Sequence, residues 1–234
     1  MGIKDYQKIE NTFYENIIKF LGENVLLYCV TGSLGRGDLV PGWSDIDILL
    51  VYKNLDNNTL SGLGKIIRKN KSSIKIGITQ YTLNEFNDPL YKDPKTYQNI
   101  NQILEGTIKP KILSPKIKIH RYKNLEIIDN IDVAKSIHSI KRQLILGPEG
   151  FDEKNIYKEL IMILKVSLRN KGINVFGYNN ILKLAQSNIN FNVDIKGPEE
   201  ILQLSNQKQQ RYASYVEFLR WLENNRYWKN NFFA

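Results

Sequence analysis

Residues 25–52 read VLLYCVTGSLGRGDLVPGWSDIDILLVY, and the fold turns on how this stretch is read. Val25 to Val30 is an apolar run of the length of a buried strand, ended by Thr31-Gly32-Ser33. Ile46 to Tyr52 is a second such run, opened by Asp45 and Asp47 around a single isoleucine. Residues two apart on a strand share a face, with Cα atoms about 6.5–7 Å apart. Both carboxylates are therefore expected on one side, opposite Ile46 and Ile48. Two neighbouring acids repel, and burying them without partners is costly. A hard cation removes the difficulty, because Mg²⁺ is commonly held by one or two carboxylates together with water and phosphate oxygens. The Gly32-Ser33 turn is the complementary half: glycine lets the backbone approach a ligand, and a turn entering a helix presents N–H groups to an anion. Acids on a metal and phosphates on a turn outline a phosphoryl-transfer site.

In order along the chain, Gly32-Ser33, Arg36-Gly37 and Ser44-Asp45-Ile46-Asp47 resemble the G-S-x-x-R-G…S-D-x-D signature of the DNA polymerase beta-like nucleotidyltransferase superfamily, minimal and antibiotic types included. The resemblance implies that Gly32 and Ser33 contact nucleotide phosphates, that Asp45 and Asp47 are the catalytic metal ligands, and that Mg²⁺ is the cofactor. It places Arg36 and Ser44 in the nucleotide-binding set, Arg36 steadying the loop or facing the triphosphate. Ser44 also reads as a local hydrogen-bonding residue that sets the angle of the second strand. The implied reaction moves a nucleoside monophosphate, with ATP the favoured donor, onto an acceptor hydroxyl and releases pyrophosphate. The order Gly32, Gly35, Gly37 is not the dinucleotide-binding G-x-G-x-x-G, and no Gly-Lys-Ser/Thr follows, which excludes a P-loop.

The family usually carries a third carboxylate on the next strand, expected here over Ile74 to Tyr81. The matching face offers Lys75, Gly77 and Thr79, and no acid. Three readings stay open: an acid from elsewhere, with Glu85, Asp88 and Glu105 nearest; catalysis on two carboxylates; or a nucleotide-binding regulatory or antitoxin-like module without turnover.

Around this centre, the 234 residues suffice for one large domain or two small ones, and 42% hydrophobic residues give a globular composition. No apolar run is long enough to cross a membrane, and MGIKDYQKIE lacks a signal peptide's apolar core. The single cysteine, Cys29, excludes an intramolecular disulfide and suits the cytoplasm; inside a strand it reads as a core residue. A net charge of +9 favours anionic partners, but the lysines are scattered, so a solvated basic surface is preferred over an RNA groove. His120 and His138 lack ligands at metal spacing.

Tyr6, Ile9, Phe13, Ile17, Phe20 and Leu21 space a helix over 5–21 that packs on the sheet. A second helix is expected over 59–70, with its cap among Asn57 to Thr59. Residues 84–98 read as a loop with a short helix, and Ile108 to Ile112 as a return strand. The lysines alternating over 109–123 then mark an exposed strand. From Ile131 helices follow over 132–146, 155–170, 179–187, 198–204 and 211–223. The aromatic tail, Trp221, Tyr227, Trp228, Phe232 and Phe233, is core or a candidate dimer contact. The expectation is an α/β (α+β) chain: a small mixed-sheet nucleotidyltransferase-like domain over 1–128, then an all-α helical bundle over 129–234.

Overall fold

The computed structural model describes residues 2–54, 56–70, 74–121 and 125–225. The chain divides into two compact units, 1–123 and 124–234.

The first unit is built on a four-stranded mixed sheet. Helix α1 (Ile3–Leu21) leads into β1 (Val25–Thr31), the short α2 (Gly32–Arg36), β2 (Ile46–Tyr52), α3 (Asn57–Lys69) and β3 (Ile76–Thr82). Helices α4 (Leu83–Asn87) and α5 (Pro94–Leu104) precede the two-residue β4 (Ile112–Leu113). The strand order is β3-β2-β1-β4, with β1 antiparallel to β2 and β4 and β3 parallel to β2. A parallel pair needs a crossover, and α3 provides it.

Both faces of the sheet are covered, which explains why β2 is an almost unbroken apolar run. Ile46, Ile48, Leu50 and Tyr52 pack with Tyr6, Phe13 and Ile17 of α1 and Leu63 of α3. Leu49 and Val51 point the other way, to Phe86 of α4, Ile100 of α5 and Ile108. Asp47 belongs by alternation to this second face, at its open end.

Four local expectations change. The buried stripe of α1 runs Tyr6, Glu10, Phe13, Ile17, Leu21, whereas Phe20 is half exposed and leans over α3. Glu10 tolerates burial because the Tyr28 hydroxyl and the Lys111 ammonium donate to it at 3.0 and 2.5 Å. The cap of α3 is Asp56, one residue before the expected candidates, accepting from the Thr59 amide at 2.6 Å. Residues 84–98 are mostly helical, since the two prolines begin turns rather than end them. Pro89 opens a 3-10 turn, and Pro94 stands in the first turn of α5 behind the Asp93 cap. The return strand shrinks to Ile112–Leu113, and the described part of the basic stretch is largely irregular. Pro110 and Pro115 bracket it, and proline cannot donate to a ladder.

The described residues of the second unit form helices joined by irregular segments, with no strand among them: α6 (Leu125–Ile145), α7 (Gly147–Gly150), α8 (Glu153–Arg169), α9 (Tyr178–Asn188), α10 (Pro198–Gln203) and α11 (Lys208–Asn224). Helix α8 is the hub, burying Ile156, Leu160, Ile163, Leu164 and Leu168. Arg211 of α11 is buried and donates to both carboxylate oxygens of Glu153, at 2.6 and 2.8 Å, and to the Leu204 carbonyl at 2.5 Å. Tyr215, Phe218, Trp221 and Leu222 complete the buried face of α11. Trp221 docks edge-on against Phe191. Tyr227, Trp228, Phe232 and Phe233 lie outside the described residues. No helix among the described residues is long and apolar enough to cross a membrane.

Candidate functional site

The end of β1 and the start of β2 lie side by side, with Thr31 opposite Asp47 and, across β2, Asp47 opposite Gly77 of β3. The Asp47 carboxylate is thereby seated between two residues without side chains. A Cβ on Gly32 would lie 2.5 Å from its Oδ2, and one on Gly77 would lie 3.2 Å from its Oδ1. Gly32 also has φ +63, a left-handed conformation that other residues adopt at a cost. The glycine of the turn thus serves the acid directly, by giving it room.

The rest of the turn is braced. Gly35 permits α2 to lie on β1, since a Cβ there would be 2.2 Å from the Val30 carbonyl oxygen. Ser33 is buried, and its carbonyl accepts from the Asp38 amide at 3.0 Å. Arg36 forms an ion pair with Asp38, two residues further along the same connection, at 3.3 Å. Ser44 is buried, its Oγ accepting from the Val40 amide at 3.0 Å, and thereby closes the turn before β2. Tyr6 secures that turn from α1: its hydroxyl donates to the Ser44 carbonyl and accepts from the Gly42 amide, both at 3.0 Å. Sequence periodicity identified Tyr6 only as core; nothing local signals its clamp across 38 residues.

Asp45 is half-buried just ahead of β2, where the Ile46 amide donates to the Lys75 carbonyl at 2.9 Å. The pleat assigns it the same face as Asp47. Among the described residues, no group of three or more His, Cys, Asp or Glu side chains is arranged to hold a metal. The three acids considered for a third ligand have other places. Glu85 caps α4, accepting from the Thr82 amide at 2.7 Å; Glu105 pairs with Arg121 at 3.6 Å; Asp88 ends α4. What meets Asp47 instead is a positive charge: the Lys95 ammonium donates to Oδ1 at 3.0 Å. No sequence signal announces Lys95, which arrives from α5 because Pro94 starts that helix beside the acid.

The Oδ1 edge of Asp47 is open to a positively charged group, and two hard carboxylates are the donor type Mg²⁺ prefers. By donor type, Asp45 and Asp47 could hold a divalent cation shared with substrate oxygens. Cys29 has no such role. It is fully buried, and burial pushes its thiol up to about 12.

Glycine-serine turn, short helix and acidic strand on a mixed sheet define an α/β unit of the nucleotidyltransferase type. Residues 14–145 match the family model of the nucleotidyltransferase domain, more than half of the chain, and the protein belongs to that family. In three dimensions it is similar to the spectinomycin adenyltransferase AAD(9) from Enterococcus faecialis, solved with ATP and spectinomycin. The TM-score is 0.50 and the identity 14%, over 96% of this chain and 99% of that one. At this identity the likeness bears on the fold alone. No curated protein sequence matches the chain.

Proposed function

We propose that the protein transfers AMP from ATP to a hydroxyl of a small-molecule acceptor. The observation that carries the reading is the Asp47 carboxylate lodged against Gly32, which brings the candidate cation site to the candidate phosphate turn. Membership of the nucleotidyltransferase family supports the reaction class. A fold neighbour solved with ATP and spectinomycin supports the pairing of this donor with a small acceptor.

In this reading Gly32 and Ser33 receive the phosphates, while Arg36 and Ser44 hold the loop that carries them. Asp45 and Asp47 hold Mg²⁺, which when bound neutralises charge on the triphosphate and on the leaving pyrophosphate. The acceptor oxygen forms a bond to the α-phosphorus as the bond to the bridging oxygen breaks. Positioning and electrostatics supply most of the acceleration in such transfers. With two carboxylates in the site, the acceptor proton leaves to water or to the nucleotide.

Asp45→Ala and Asp47→Ala should each abolish Mg²⁺-dependent pyrophosphate release with ATP across an acceptor panel. Turnover at the wild-type rate in either variant would remove the metal assignment. A second reading, a nucleotide-binding regulatory module, is favoured by one feature: a lysine rather than a third acid meets Asp47. Calorimetric binding of ATP and Mg²⁺ without pyrophosphate from any acceptor would select it.

A further inference from the structure

Lys95 stands in the first turn of α5, with its ammonium 3.0 Å from Oδ1 of Asp47. The proposed reaction does not account for an ammonium at this point. Gly77 opens the approach: with no side chain on that register position of β3, the edge of the carboxylate carrying Oδ1 is reachable from α5. Lys95 therefore holds an oxygen that a divalent cation would use.

The pair is exchangeable. The Lys95 side chain is 56% exposed and that of Asp47 31%, and ion pairs this open to water are weak. The ammonium sits on a flexible four-carbon stem and has three donors to offer elsewhere. It cannot remain at Oδ1 beside a divalent ion, because the two positive charges would be only a few ångströms apart. A triphosphate on the Gly32-Ser33 turn gives it somewhere better to go, since phosphate oxygens carry more negative charge than one carboxylate.

We propose that Lys95 is a resident counter-ion of Asp47, displaced when cation and triphosphate enter together. Free cation then binds weakly and the cation–nucleotide pair strongly, because only the latter supplies the charge that draws Lys95 off the acid. Lys95 thus acts on Asp47 before the ligands enter and on the phosphates once they are bound. The inference rests on the reading of Asp47 as a metal ligand given above.

The test uses the full chain and Mn²⁺ as probe, with free ion measured by electron paramagnetic resonance, first alone and then with a non-hydrolysable ATP analogue. Lys95→Ala should bind Mn²⁺ alone about fivefold more tightly than wild type, the scale of an exposed ion pair. Lys95→Arg, which keeps the charge, should not. Lys95→Ala should also weaken the Mn²⁺–analogue complex several-fold. In Asp47→Asn the effect of Lys95→Ala on Mn²⁺ alone should vanish. Unchanged or weaker Mn²⁺ binding in Lys95→Ala would overturn the role given to Lys95 while leaving Asp47 as a ligand, provided Asp47→Asn still loses the Mn²⁺–analogue complex. If Asp47→Asn retains that complex, the underlying reading fails as well.

Discussion

Replacing Gly32 by alanine separates what the turn does for the fold from what it does for the acid, when read beside the same change at Gly37. Both glycines have left-handed backbones, φ +63 and +82. Forcing alanine into that region costs about 1–2 kcal/mol. For a unit of 123 residues this is about 4–8 °C in Tm, and the two variants should pay it alike. Their surroundings differ. The added methyl at Gly37 meets nothing within 4 Å, while at Gly32 it lies 2.5 Å from Oδ2 of Asp47. Close to 1 Å of overlap must be relieved, and the carboxylate is the part able to turn away. Misplacing a reacting group by about 1 Å can cost about 10²-fold in rate. Gly32→Ala should therefore lose about two orders of magnitude in pyrophosphate release and much of its Mn²⁺–nucleotide affinity, and Gly37→Ala should keep both. Thermal melts read the first quantity, and a coupled pyrophosphate assay at a temperature where both variants are folded reads the second. Equal activities in the two variants would refute the claim that Gly32 exists to seat Asp47.

Two further outcomes concern stability. Arg211→Ala leaves the largely covered Glu153 with the Tyr215 hydroxyl but without its two-pronged partner and should destabilise the unit 124–234 by about 2–3 kcal/mol, read as an early transition in urea; a melt that matches wild type would show that the pair contributes little. Burial raises the Cys29 thiol to about 12, so the folded state favours its neutral form. That contribution is complete below the unfolded pKa of about 9 and is lost as pH climbs towards 12, at about 1.4 kcal/mol per pH unit. Burial pushes the Tyr28, Tyr157 and Tyr215 hydroxyls up as well, so alkaline loss should be steep. Cys29→Ala should flatten its first part in urea titrations between pH 8.5 and 10.5, and an unchanged pH profile would contradict this. Folded protein should also leave Cys29 unreacted with a thiol reagent until denaturant is added.

How much was legible in the sequence follows from the range of the forces involved. The two site strands, the turn between them, the paired aspartates and the helical second half are local patterns: alternation of period two, a stripe of period 3.6, glycine where the backbone must turn. Each could be read from a few neighbouring residues, and so could the family signature at 32–47. Errors came where a local sign had two meanings. Residues 84–98 read as a loop with a short helix, but Pro94 starts α5; the lysines over 109–123 read as an exposed strand, but Lys111 turns inward to a buried Glu10. Glu10 itself was invisible as a core residue, because its partners lie 18 and 101 residues away.

The chain by itself thus offered residue types suited to a cation and a triphosphate, because that suitability depends on residue type and spacing. Only the tertiary structure decided who meets Asp47. Gly77 stands across β2 from it because β3 pairs in parallel, and Lys95 reaches it from 48 residues away because α5 packs on that face of the sheet. Contacts of that kind are fixed by register and packing, which no short window of sequence contains.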